Sequence, residues 1–161
     1  MPVSLGKKVA DFEAQSTDLD ASGEPGKFTL SQRSQSKLVM YFYPKDNTPG
    51  CTNQGTDFRD HFPAFLNAGC EVVGVSRDTL KSHVSFQAKF EFPFHLLSDP
   101  AEALCAQFEV MKMKNMYGKQ VRGIERSTFV IDADGKLAQE WRGVKVPGHV
   151  AQVLAFVQGM P

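Results

Sequence analysis

At 161 residues the chain is sized for one domain with a proper core, and its 42% hydrophobic and 22% charged content is that of an ordinary globular protein. Eighteen Lys and Arg balance eighteen Asp and Glu, so no net field favours nucleic acid or an anionic membrane. No apolar run approaches the roughly 20 residues a membrane helix needs, Met1 to Lys8 lacks the charged-then-apolar order of a signal peptide, and three cysteines without tight pairing exclude a secreted disulfide framework; a reducing, cytoplasmic location is expected.

In chain order, the turn-rich stretch Asp20 to Gly26 lies between Asp11-Phe12-Glu13-Ala14 and Lys27-Phe28-Thr29-Leu30 and predicts an N-terminal hairpin. Lys37 to Phe42 is short, apolar and bounded by Ser and Pro, which predicts a buried strand. From Thr52 the period changes. Phe58, Phe62, Phe65 and Leu66 form the apolar stripe of a helix, with Pro63 predicting a kink or a split into two short helices and Gly69 an end. Cys70 to Val75 is the next buried strand. Asp78-Thr79 caps a helix expected to bury Leu80, Val84 and Ala88, and Pro93 stops it. Phe94 to Leu97 predicts a short strand and Pro100 to Phe108 a short helix. Thr128 to Ile131 and Leu137 to Trp141 flank Asp134-Gly135, the signal of a two-residue hairpin loop. Val150, Val153, Leu154 and Val157 mark the last helix. This order predicts one α/β domain over 1–161, a mixed central sheet flanked by helices and compatible with a thioredoxin-like fold.

The most informative residue is Cys51. It follows the strand Lys37 to Phe42 through Tyr43-Pro44-Lys45-Asp46-Asn47-Thr48-Pro49-Gly50, and a helix is expected to start at the thiol. A buried structural cysteine is a small hydrophobe and needs none of these residues. A nucleophilic cysteine needs donors aimed at it and a fixed approach path.

The pattern Pro44-x-x-x-Thr48-x-x-Cys51 resembles the peroxiredoxins, and the run Tyr41 to Thr52 is similar to their PrxQ, or bacterioferritin comigratory protein, subfamily. Gly74 to Asp78, Ser82-His83, Pro93 to Pro100, Tyr117-Gly118 and Gly123 to Phe129 resemble family segments at similar spacing. The resemblance implies a thioredoxin fold and a thiol peroxidase acting on hydrogen peroxide and organic hydroperoxides, without a bound cofactor. It implies Arg126 as the cation beside the sulfur. A free thiol near a pKa of ~8.5 is mostly protonated at neutral pH. A helix N-terminus and a nearby cation both favour the thiolate. Thr48 offers a hydroxyl to the peroxide, and also fits the role of a helix N-cap. The backbone N–H groups of Gly50 and Cys51 would stabilise developing charge. Gly50 permits close approach, while Pro44 and Pro49 remove N–H donors and shield the sulfur. Cys51, Thr48, Arg126 and Pro44 are thus the expected catalytic constellation, with Gly50, Pro49 and Tyr43 against the substrate. Alternating Tyr41 and Tyr43 also fit a core, His83 fits a structural role, and the four scattered histidines suggest no metal site.

The attack leaves a sulfenic acid that must be reduced. Many relatives place a second cysteine five residues after the first, where this chain has Thr56. Others place it in the following helix, where this chain has Gln87. Cys70 and Cys105 fit small buried residues, although resolution by either stays open. A one-cysteine cycle is expected, with an external thiol as reductant. The resemblance implies thioredoxin, or glutathione with glutaredoxin, and a monomer. A dithiol oxidoreductase would want Cys-x-x-Cys, whereas this chain reads Cys51-Thr52-Asn53-Gln54. A redox sensor or chaperone exposing the Phe58, Phe62 and Phe65 face on oxidation is the non-enzymatic alternative; turnover with excess peroxide separates the two.

Overall fold

The computed structural model describes residues 2–19, 24–33 and 36–161. Its main sheet has seven strands: β1 (Glu13–Leu19), β2 (Pro25–Thr29), β3 (Lys37–Phe42), β4 (Cys70–Ser76), β5 (His95–Ser98), β8 (Ser127–Ile131) and β9 (Leu137–Arg142). Their order across the sheet is β2-β1-β5-β4-β3-β8-β9. Strands β3, β4 and β5 are parallel, and all other pairings are antiparallel. Helix α1 (Pro49–Asn67) makes the β3–β4 crossover and α2 (Leu80–Phe90) the β4–β5 crossover. A short α3 (Ala103–Gln107) and a C-terminal α4 (His149–Gln158) complete the helices. Among the described residues no helix is long and apolar enough to cross a membrane.

The unbroken apolar run of β3 follows from its central place, since a strand covered on both faces has no polar side to alternate with. Leu38, Met40 and Phe42 enter one core with Val75, Leu97, Phe108, Phe129 and Ile131. Val39, Tyr41 and Tyr43 enter the other with Phe58, Phe65, Phe86, Val130, Val150 and Val153. The α/β class and mixed sheet agree with the sequence reading, and Val150, Val153 and Val157 are buried as expected.

Several local expectations need correction. α1 is one continuous helix through Pro63, which lies on its exposed face and costs the helix the N–H that would have donated to the Arg59 carbonyl. Leu66, expected in the core, is 53% exposed. In α2 the predicted face is wrong: Val84 and Ala88 point outward, while His83 and Phe86 are buried. Hydrogen bonds to both ring nitrogens of His83 allow a polar side chain to occupy the buried stripe. Of the expected capping pair Asp78-Thr79, it is Thr79 that caps α2, accepting from the Ser82 N–H, as the sequence allowed. The β8–β9 connection is longer than two residues. Asp132 Oδ1 accepts the N–H groups of Asp134 and Lys136, and Gly135 takes a left-handed φ of 86°. The N-terminal hairpin forms with longer strands, its predicted loop residues Asp20 to Gly23 lying outside the described residues.

A second sheet was not foreseen. β6 (Met111–Met116) and β7 (Lys119–Ile124) form a separate hairpin, turning at Tyr117 and Gly118 with φ of 52° and 78°. Met111-Lys112-Met113-Lys114 does alternate apolar and polar residues, a period-two signal that the sequence reading passed over, and neither face of the hairpin is consistently buried.

Candidate functional site

Strand β3 delivers the chain to the carboxyl end of the parallel strands, where ligands of open α/β sheets commonly bind. Pro44 begins a turn containing Asn47 at φ 63°, and Pro49 opens α1 at its first helical position. Cys51 is therefore in the first turn of a 19-residue helix, where backbone N–H groups lack helical acceptors. It is only 2% exposed.

Thr48 holds the N-cap position, yet its side chain caps nothing. Its hydroxyl instead donates to the Lys45 carbonyl at 2.8 Å, so the oxygen lone pairs remain available as acceptors. The half-buried Arg126, from the junction of β7 and β8, reaches across 75 positions of sequence. Its Nη2 lies 3.5 Å from Cys51 Sγ, and its Nη1 donates to Gln54 Oε1 at 2.5 Å. A Cβ on Gly50 would meet Arg126 Nη2 at 3.2 Å, so the absent side chain makes room for the guanidinium.

The structure thus brings Cys51, Gly50 and Arg126 together, with Thr48 at the head of the same helix. Pro44 is half-buried and Pro49 exposed. Tyr43 is buried at 1% exposure beside the equally buried Cys51, and its hydroxyl donates to Asp46 Oδ1 at 2.7 Å. Burial holds the Tyr43 and Tyr41 hydroxyls well above their ordinary range. Sequence reasoning missed Gln54, fully buried and one helical turn beyond Cys51, although its i+3 spacing puts it on the same helix face. It also missed Asp46, buried beneath the turn.

The other two cysteines sit apart. Cys70 pairs with Lys37 at the start of β3, whereas Cys51 follows its end, and six strand residues span roughly 17 Å. Burial pushes the Cys70 thiol up to about 12. Cys105 belongs to the core on the opposite face of the sheet, its thiol raised first by burial and then by Asp99. Thr56 donates to the Asn53 carbonyl and Gln87 Nε2 to the Phe94 carbonyl, so both side chains serve local structure. Phe58 and Phe65 are fully buried core rings.

Residues 5–140 match the model of the AhpC/TSA family. A protein of Xanthomonas campestris named peroxiredoxin Bcp is 53% identical over 151 residues, covering 93% of this chain and 94% of that one. A Bacillus subtilis peroxiredoxin Bcp is 42% identical, covering 99% and 98%. Among solved structures, peroxiredoxin Q of X. campestris superimposes with a TM-score of 0.82 at 50% identity, covering 91% of this chain and 89% of that chain. A PrxQ variant of Xylella fastidiosa gives 0.87 at 40% identity, covering 98% and 97%. Two structures of the X. campestris protein carry serine in place of one or the other of two cysteines. The same spacing counted from Cys51 falls on Gln87.

Proposed function

We propose that Cys51 is the reacting sulfur of this chain, which belongs to the AhpC/TSA family as a peroxiredoxin of the PrxQ/BCP branch and is a thiol-dependent peroxidase. The observation that carries the assignment is the Arg126 guanidinium 3.5 Å from a sulfur in the first turn of α1. The Cys51 thiolate attacks one peroxide oxygen, and an S–O bond forms as the O–O bond breaks. Sulfur loses two electrons and the leaving oxygen takes a proton as water or an alcohol. Arg126 and the free N–H groups of the first helical turn stabilise the charge that develops on the oxygens. Thr48 Oγ1 accepts from the peroxide O–H, and Gly50 and Pro49 bound its approach. Pro44 keeps bulk water from the sulfur. The substrates proposed are hydrogen peroxide and organic hydroperoxides; a solved structure of the X. campestris relative was determined in work on that protein's alkyl peroxide reduction activity.

The cycle is a one-cysteine cycle. Cys70 stands at the far end of β3 and Cys105 on the other face of the sheet, while a disulfide needs Cα atoms within about 7 Å. An external thiol therefore attacks the Cys51 sulfenic acid, releasing water and forming a mixed disulfide. A second thiol then releases Cys51. Thioredoxin, or glutathione with glutaredoxin, supplies these thiols in the cytoplasm. The working unit proposed is a monomer.

One equivalent of hydrogen peroxide, a sulfenic-acid trap and peptide mass spectrometry test this reading. The expected product is a trapped adduct on Cys51 with Cys70 and Cys105 reduced. A disulfide joining Cys51 to either one would replace the one-cysteine cycle by internal resolution. An unreacted Cys51 would remove it as the reacting sulfur.

A further inference from the structure

The turn between β3 and α1 is held by two carboxylates that the chemistry above does not use. Asp46 is 5% exposed. Its Oδ1 accepts the Tyr43 hydroxyl at 2.7 Å, and its Oδ2 accepts the Ser82 hydroxyl at 2.7 Å and lies 2.8 Å from His83 Nδ1. The other ring nitrogen of His83 lies 2.9 Å from the Leu97 carbonyl, so this α2 imidazole is fixed between the β3–α1 turn and β5. Asp78, between β4 and α2, accepts the Asp46 backbone N–H at 3.0 Å and the Ser76 hydroxyl at 2.5 Å.

These bonds converge on one peptide unit. The N–H of the Lys45–Asp46 peptide is held by Asp78, and the Asp46 side chain is tied into α2. The C=O of that same unit receives the Thr48 hydroxyl. A planar peptide has no internal freedom, so holding its N–H sets the direction of its C=O. That carbonyl in turn sets the Thr48 hydroxyl torsion and the directions of the remaining lone pairs. Asn47 follows immediately at φ 63°, so the turn has little slack to absorb a rotated plane.

We propose that Asp46 and Asp78 are positioning residues of the peroxide step, acting through the Lys45–Asp46 peptide on the Thr48 hydroxyl. The proposal rests on Cys51 as the reacting sulfur. Asp78 holds the peptide plane directly, and Asp46 holds the segment that carries it against α2.

The test compares two reactions of Cys51 in the reduced protein: oxidation by hydrogen peroxide and alkylation by iodoacetamide. Both need the thiolate, but only the peroxide offers an O–H to Thr48. Asp78→Ala is expected to slow oxidation roughly ten- to a hundred-fold, the scale of a small misplacement, with alkylation held within about twofold. Asp78→Asn retains an acceptor for the Asp46 N–H and restores most of the loss. In a Thr48→Val background, Asp78→Ala produces no further change in the ratio of the two rates. Ser82→Ala, which removes one bond to Asp46, gives a smaller loss in the same direction and serves where Asp78→Ala does not fold. Equal loss of both rates, an unchanged ratio, or a full Asp78→Ala effect in the Thr48→Val background would each overturn the proposal. A wild-type Cys51 inert to peroxide would instead remove the reading on which it rests.

Discussion

Arg126→Met keeps much of the aliphatic stem and removes the guanidinium. Two contacts go with it: the donor 3.5 Å from Cys51 Sγ and the 2.5 Å bond to Gln54 Oε1. Two unit charges at that separation attract by about 5 kcal/mol at an effective dielectric near 20, an upper bound for the pair. A hydrogen bond to a charged group contributes about 1.5–3 kcal/mol net, and the reaction loses the part expressed in the transition state. The second-order rate of Cys51 oxidation should therefore fall roughly ten- to a hundred-fold. The second loss acts on stability. Gln54 is fully buried, and an unpaired buried carbonyl oxygen costs about 1–3 kcal/mol. Arg126→Lys should recover little of either, because one ammonium cannot fork to Sγ and Oε1 as the planar guanidinium does. Stopped-flow oxidation by hydrogen peroxide gives the rate, and urea unfolding gives the stability. An Arg126→Met protein that reacts at the wild-type rate would refute the role assigned to Arg126.

Three further perturbations follow from the structure. Burial, the largest cause, holds His149 down at about 4 in the folded chain against an ordinary 6.5, so the unfolded chain takes up this proton first as the pH falls. Its contribution is intact above about pH 6.5 and is lost progressively towards pH 4, by about 2 kcal/mol at pH 5. Urea unfolding at pH 7 and pH 5 should show this drop in wild type and a smaller one in His149→Gln; equal drops would refute it. A Cβ on Gly55 would stand 2.5 Å from Cζ of Phe92, whose ring is buried and stacked on Phe94. Gly55→Ala should thus destabilise by about 1–3 kcal/mol in chemical denaturation, and an unchanged midpoint would show that the ring moves freely. Cys70→Ala with Cys105→Ala should leave peroxide turnover with dithiothreitol as reductant within about twofold of wild type; a large loss would point to an internal resolving thiol.

Much of the fold was readable because its signals are local. The run Leu38 to Phe42, bounded by turn residues, marks a central strand whatever else surrounds it. The Pro49-Gly50-Cys51 start of α1 is a backbone statement, since proline fits the first helical position and lacks the N–H that would otherwise be unpaired there. Readings failed where burial depended on a distant partner. The period of α2 pointed to Val84 and Ala88 because a histidine counts as polar. Only the carboxylate of Asp46 and the Leu97 carbonyl make the buried place of His83 favourable. Gln54 was passed over for the same reason, its partner lying 72 positions away.

The sequence by itself determined that a thiol would stand at a helix start behind a proline-bounded turn, in an α/β chain with only two other cysteines, and the family resemblance added that Thr56 and Gln87 stand where relatives carry a second one. Those are properties of neighbouring residues, of backbone torsions and of what is covalently present. Tertiary structure decided which charge meets the sulfur, because β8 beside β3 brings Arg126 to the end of the strand that Cys51 follows. It also decided the direction of the Thr48 hydroxyl, which depends on a peptide plane held by Asp78 from the next crossover. A hydrogen bond of fixed length and angle between residues tens of positions apart is a condition on the packed chain, and no local pattern encodes it.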